Sequence, residues 1–213
     1  MAGTLKITGN ARILAPRDMV RISFTSSVQQ MDYARAVAGL DNEAARLADI
    51  ITKAGFERSC LKTSNFDVTK KSEYNQAAKK NCFAGFEASQ DMSLDFAADT
   101  GKISSILSAL SSTLKDTEFT LSFYCGNPGQ YEPELLGRSI KDARAKAEAI
   151  AGAAGVRLGG ISQIDYSYST IEIEDELKMS CLGSDAAGSC MQSEINPEDA
   201  RISRDITVVW VIE

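Results

Sequence analysis

The residues best able to do covalent chemistry in this chain are five cysteines: Cys60, Cys82, Cys125, Cys181 and Cys190. Cys181 and Cys190 flank the segment LGSDAAGS, an arrangement that suits a redox-sensing pair or half of a soft-metal site. The spacing is not C-x-x-C, and acidic neighbours disfavour a reactive thiolate. An odd number of cysteines at irregular spacing is also not a disulfide framework. Cys125 falls in phase with the apolar positions Phe119, Leu121 and Phe123, which reads as a small core hydrophobe. A second candidate is the row Glu87, Asp91 and Asp95, three carboxylates of one strand parity that would share one side of a sheet. They could hold a cation, but the solvent face of an antiparallel sheet needs the same pattern. The acidic run EIEDE at 172–176 lacks the spaced ligands and central glycine of a calcium loop.

Other chemistry is excluded by what is missing. The chain has no histidine, so Ser-His and Cys-His nucleophile pairs and imidazole metal ligands are ruled out. GNPGQ at 126–130 is not followed by Gly-Lys-Ser/Thr, and GVRLGG at 155–160 follows a helix where a dinucleotide fingerprint would precede one. No cofactor is expected. A net charge of −6 over 213 residues argues against nucleic acid, and no apolar run is long enough to insert into a membrane. The N-terminus lacks the pattern of a secretion signal, so the sequence as written reads as cytoplasmic. These features describe a non-enzymatic protein.

Regular elements must position these residues, and two periodicities identify them. Two-residue alternation marks strands at Val20/Ile22/Phe24, at Phe86/Ala88/Met92/Leu94/Phe96, at Phe119/Leu121/Phe123 and at Ile202/Ile206/Val208/Trp210/Ile212. Weaker strands are expected at 61–71 and 161–173, with a short one at Leu5–Ile13. Helical spacing marks Tyr33–Ala54, with Asp32 as N-cap and Gly55 as stop, and a shorter helix through Ile103, Ile106, Leu107, Leu110 and Leu114. A third helix spans about Pro133 to Ala154, with Leu136, Ile140, Ala143, Ala147, Ile150 and Ala154 expected on its buried face. On that helix Ala145, Ala149 and Ala153 form a second ridge of small residues, expected to contact another helix within the fold or in another subunit.

The resulting order contains a split β-α-β-β-α-β unit, then an additional helix and two strands. The fold class is α+β, a mostly antiparallel sheet with helices on one face, read as one domain over residues 1–213. Segment 72–81 has the composition of a polar hairpin tip, and 172–199 that of a long, flexible acidic loop.

Several stretches resemble one known family. ARAKAEAIAGAAGVRLGGISQI is similar to the signature helix and following strand of the SIMPL-domain family. ITGNARILAPRDMVRISF resembles its Gly-containing opening strand, Pro-Asp step and second strand, with Arg17 inserted between Pro16 and Asp18. IITKAGFERSCLKTSNFDV, GFEASQDMSLDF and INPEDARISRDITVVWVIE resemble further pieces in the same order, so the likeness covers nearly the whole chain. The family includes bacterial periplasmic immunogenic and oxidative-stress-defence proteins and a mammalian kinase-associated adaptor. The resemblance implies an α+β fold, a non-enzymatic role and ring-like or cage-like oligomers, with no catalytic residue to carry over. Three functional readings follow: a self-associating binding protein, a thiol-based redox protein using Cys181 and Cys190, or an adaptor binding a protein partner through 172–199.

Overall fold

The computed structural model describes residues 3–75, 79–113, 119–166, 172–174, 177–181 and 197–213. Nine strands and three helices are described: β1 (Gly3–Ala15), β2 (Met19–Gln30), α1 (Tyr33–Lys53), β3 (Leu61–Asn75), β4 (Lys80–Ala97), α2 (Thr100–Thr113), β5 (Phe119–Tyr124), α3 (Glu132–Ala154), β6 (Leu158–Asp165), β7 (Glu172–Glu174), β8 (Leu177–Cys181) and β9 (Ala200–Ile212). The fold is α+β, and among the described residues every strand pair is antiparallel. The strands fall into two sheets, one in each of two compact units of the chain.

One unit comprises 18–124 and 177–197. Its sheet has the order β3-β4-β2-β5-β8, in which β2-α1-β3-β4-α2-β5 is the expected split unit. Alternation in β2 and β4 sends Val20, Ile22, Phe24, Met92, Leu94 and Phe96 to one face, where they are buried with Leu47, Ile51, Ile106 and Leu110 of the helices. The Asp32 carboxylate accepts the Arg35 N–H at 3.1 Å and starts α1, as its position implied. Residues 72–75 and 80–83 extend the β3–β4 hairpin, and its tip at 76–78 lies outside the described residues.

The other unit comprises 1–17, 125–176 and 198–213. Its sheet has the order β1-β9-β6, with β7 also paired to β9, and α3 packs on β1 and β9. The strand β1 is thirteen residues long, more than the short strand expected, and β6 begins at Leu158 instead of 161.

The buried face of α3 differs from the expected one. Leu135, Ser139, Ala143, Ala147 and Ala151 are buried in steps of four, whereas Ile150 and Ala154 are exposed. The reason lies in β1. A Cβ on Gly9 would stand 2.0 Å from the Ser139 carbonyl oxygen and 2.6 Å from both the amide nitrogen and the Cβ of Ala143. Backbone meets backbone there, and the helix turns its smallest residues to the sheet to allow it. Gly155, with φ of +70°, ends α3 in the left-handed conformation that glycine adopts without penalty.

The segment read as a loop over 172–199 is not loop throughout. Glu172–Glu174 pairs with Arg201–Ser203, and Leu177–Cys181 pairs with Phe119–Phe123. The acidic run therefore begins in a strand, with Ile173 opposite Ile202 in the ladder. Residues 175–176 and 182–196 lie outside the described ones.

Candidate functional site

The row of carboxylates on β4 shares one sheet face, as its parity required, and each member already has polar contacts. Asp95 receives two bonds from the Arg21 guanidinium, at 2.7 and 3.1 Å. Glu87 pairs with Lys71 at 2.7 Å. Asp91 accepts from the Thr25 hydroxyl at 2.9 Å and from Asn65. Arg21 also lies 5.2 Å from the Tyr124 ring centroid, and partial burial, followed by the Asp95 charge, raises the Tyr124 pKa. These are the cross-strand pairs of a polar sheet face. Among the described residues, no group of three or more Cys, Asp or Glu is placed to hold a metal ion.

The cysteine side chains among the described residues, those of Cys60, Cys82 and Cys125, form no disulfide. Cys125 is buried beside Ala11, Ala15, Leu135 and Ile202, in the role its phase implied. Cys60 and Cys82 are partly exposed free thiols. The Cys181 backbone belongs to β8, and Cys190 lies outside the described residues. The ridge Ala145, Ala149 and Ala153 is exposed in the single chain.

Two polar nodes escaped the sequence reading. At the start of α3 the Glu132 carboxylate accepts from Arg204 Nη1 at 2.6 Å and from the Tyr166 hydroxyl at 2.7 Å. The buried guanidinium of Arg204 also stands 4.7 Å from the Tyr166 ring centroid. Farther along α3, Asp142 accepts the Asn10 backbone N–H at 2.8 Å and pairs with Lys146 at 2.6 Å. Lys146 in turn reaches the Thr8 carbonyl at 3.4 Å. No spacing rule links positions 132, 166 and 204, or 10 and 142, so only the tertiary fold reveals these nodes.

Hydrogen bonds, first from Tyr166 and then from Arg204, hold the Glu132 pKa below its ordinary value. Those from Lys146 and from the Asn10 N–H do the same for Asp142. A depressed carboxylate stabilises the fold above the unfolded-state pKa, and that contribution is lost as pH falls through the folded-state value. The urea midpoint of the wild type should therefore fall between pH 5 and pH 3 more steeply than that of Glu132→Gln or Asp142→Asn. Parallel curves for all three proteins would contradict the assignment.

The most distinctive surface is aromatic and lies at the outer end of the β3–β4 hairpin. Tyr33, at the start of α1, meets Phe86 edge-on at a centroid distance of 5.8 Å, and Phe86 meets Phe83 in the same manner at 5.3 Å. Tyr33, Phe83, Tyr74 and Met31 are each half or more exposed. In a regular strand Phe83 and Phe86, three apart, would point to opposite faces. Here Lys71 pairs with Gly85 while Ser72 pairs with Phe83, so Ala84 is an extra residue. This bulge restores both rings to one face. Tyr74, two residues along from Ser72, continues the same strip.

A family model described as "SIMPL: Protein of unknown function (DUF541)" matches residues 5–210. The chain is 24% identical over 173 residues to the "Uncharacterized protein YggE" of Edwardsiella ictaluri (strain 93-146), covering 81% of this chain and 71% of that protein. It is 26% identical over 164 residues to the "26 kDa periplasmic immunogenic protein" of Brucella abortus (strain S19), covering 75% of this chain and 65% of that protein. A match running almost from end to end leads to one conclusion: the chain belongs to the SIMPL family, whose function is unknown.

Proposed function

We propose that this chain is a non-enzymatic binding protein that works as a homo-oligomer, with the aromatic strip of the β3–β4 hairpin as a subunit contact. The observation that carries the reading is the strip itself: Tyr33, Phe83 and Tyr74 on one continuous face, half or more exposed. Aromatic side chains supply large contact areas at low entropic cost and are enriched at subunit interfaces. The carboxylates that could have served chemistry are engaged in cross-strand pairs, which also favours binding over catalysis.

Phe83→Asp tests this directly. The ring is 50% exposed, so the substitution leaves the fold of the subunit in place while setting a charge in the contact. Light scattering should show the wild type as a multimer and Phe83→Asp as a smaller species that still unfolds in one cooperative transition, at a somewhat lower temperature because association no longer stabilises it. A wild type that stays monomeric at high concentration, or a variant with unchanged mass, refutes the reading. The name of the Brucella relative places that protein in the periplasm, and the same compartment is proposed for this chain.

A further inference from the structure

The sheet β1-β9-β6 has two outer strands, and α3 treats them differently. Over β1 it places a carboxylate and an ammonium one turn apart. Asp142 takes the Asn10 N–H, and Lys146 donates to the Thr8 C=O. An i,i+4 pair thus binds the backbone groups that β1 turns away from β9. Edge strands need such cover, because unpaired N–H and C=O groups recruit other strands.

On its opposite flank α3 carries a second pair of the same kind, Arg144 and Glu148, joined at 2.9 Å. About the buried row through Ala143 and Ala147, the helical steps set Glu148 as the counterpart of Asp142 and Arg144 as that of Lys146. Among the described residues this pair holds no strand backbone. It stands at the rim of an open cleft of about 490 Å³ between α3 and β6. The indole of Trp210 and the aliphatic side chains of Ile140 and Leu158 line that cleft. β6 has β9 as its only strand partner among the described residues, and Ile161, which faces Trp210 across the ladder, is half exposed. The register of β6 slips between Leu158 and Ile161, and Gly160 adds no side chain to the opening.

We propose that this cleft is a peptide-binding site. Its occupant is an extended, neutral segment of a partner protein laid along β6, with one aliphatic side chain in the cleft against Trp210 and Ile161. Arg144 donates to a carbonyl of the segment and Glu148 accepts an N–H, as Lys146 and Asp142 do for β1. A donor and an acceptor set side by side match an amide, which offers one of each; a ligand of a single charge would be repelled by one of the two. The cleft volume of about 490 Å³ lies within the roughly 300–1,000 Å³ of ligand pockets. This site shares no residue with the aromatic strip and stands or falls independently of the assembly reading.

Trp210 is the only tryptophan, so its fluorescence reports on the cleft alone. The probe is a blocked hexapeptide alternating threonine and isoleucine, titrated into the full chain beside a glycine–serine hexapeptide. The expected result is a saturable change in Trp210 emission with the first peptide and none with the second. Gly160→Leu should weaken binding at least tenfold, because a Cβ at Gly160 meets nothing within 4 Å and the longer side chain fills the cleft without disturbing the fold. Arg144→Ala, on the exposed helix flank, gives an independent loss should Gly160→Leu fail to fold. The proposal is overturned by no saturable change in the wild type, by equal binding of the glycine–serine peptide, or by undiminished binding in both variants. It is also overturned if anilinonaphthalene sulfonate saturates the cleft and the peptides do not, which would make the site one for small amphiphiles.

Discussion

Gly9→Val should lower the melting temperature by about 6–12 °C, corresponding to a loss of ~3 kcal/mol at roughly 2–4 °C per kcal/mol for a chain of this size. The first added carbon would lie 2.0 Å from the Ser139 carbonyl oxygen and 2.6 Å from the Ala143 nitrogen. Both are backbone atoms of a helix and cannot rotate away. To make room, α3 must lift from β1, and the lift reaches beyond the clash. It lengthens the contacts of Asp142 with the Asn10 N–H and of Lys146 with the Thr8 carbonyl. It also pulls the buried Ser139 hydroxyl from the Arg204 carbonyl, which it meets at 2.9 Å. Overpacking alone costs ~1–3 kcal/mol, and the broken polar contacts put this case at or above the upper end. Gly137→Ala and Gly152→Ala on the same helix are the controls. A Cβ at either position meets nothing within 4 Å, so each should gain about 0.4–1 kcal/mol through the unfolded chain. If Gly9→Val melts with the wild type, the close crossing of α3 and β1 is wrong.

That crossing explains what the alanine-rich helix is for. Composition makes 141–154 a strong helix, and spacing alone suggests a face containing the large residues Ile140 and Ile150. The face actually buried holds Ser139, Ala143, Ala147 and Ala151, because Gly9 brings a bare backbone against it. Hydrophobic periodicity ranks residues by apolar size, so it overlooks a helix whose buried row is chosen for smallness. The sheet strands suffer no such ambiguity. Their period of two admits only two faces, and Val20, Ile22, Phe24, Met92 and Leu94 are buried as their alternation required. The division into two sheets was not legible, because strand pairing between Gly3–Ala15 and Ala200–Ile212 joins segments from opposite ends of the chain. The residues at the polar nodes were equally hidden: Glu132, Tyr166 and Arg204 meet only once α3, β6 and β9 are assembled. Of the aromatic strip, the parity of Phe86 could be read but not that of Phe83, since a single bulged residue reverses it.

Gly85→Val addresses that bulge, and its effect should be local, large and informative about function. Gly85 has φ of +119°, a conformation that side-chain-bearing residues rarely adopt, and a Cβ there would stand 2.6 Å from the Gln30 carbonyl oxygen. Backbone strain of this kind costs ~1–3 kcal/mol, and a β-branched residue adds the clash with the end of β2. The chain can relieve both by giving up the bulge. Removing the extra residue shifts the pairing beyond Lys71 by one, and a one-residue shift turns the β4 side chains of the outer arm to the other face while those of β3 keep theirs. Phe83 then leaves Phe86, and the strip that runs from Tyr33 through Phe86 and Phe83 toward Tyr74 is broken in the middle. Hydrogen exchange should therefore show lost protection in 70–75 and 80–86, while β2 and β5 retain theirs. Light scattering should show the same loss of mass as Phe83→Asp. A variant with normal protection in the arm would contradict the strained geometry at Gly85. One with an unprotected arm and undiminished mass would separate the bulge from assembly. The two readouts thus distinguish a glycine that only turns a strand from one that sets which face of the hairpin meets a neighbour.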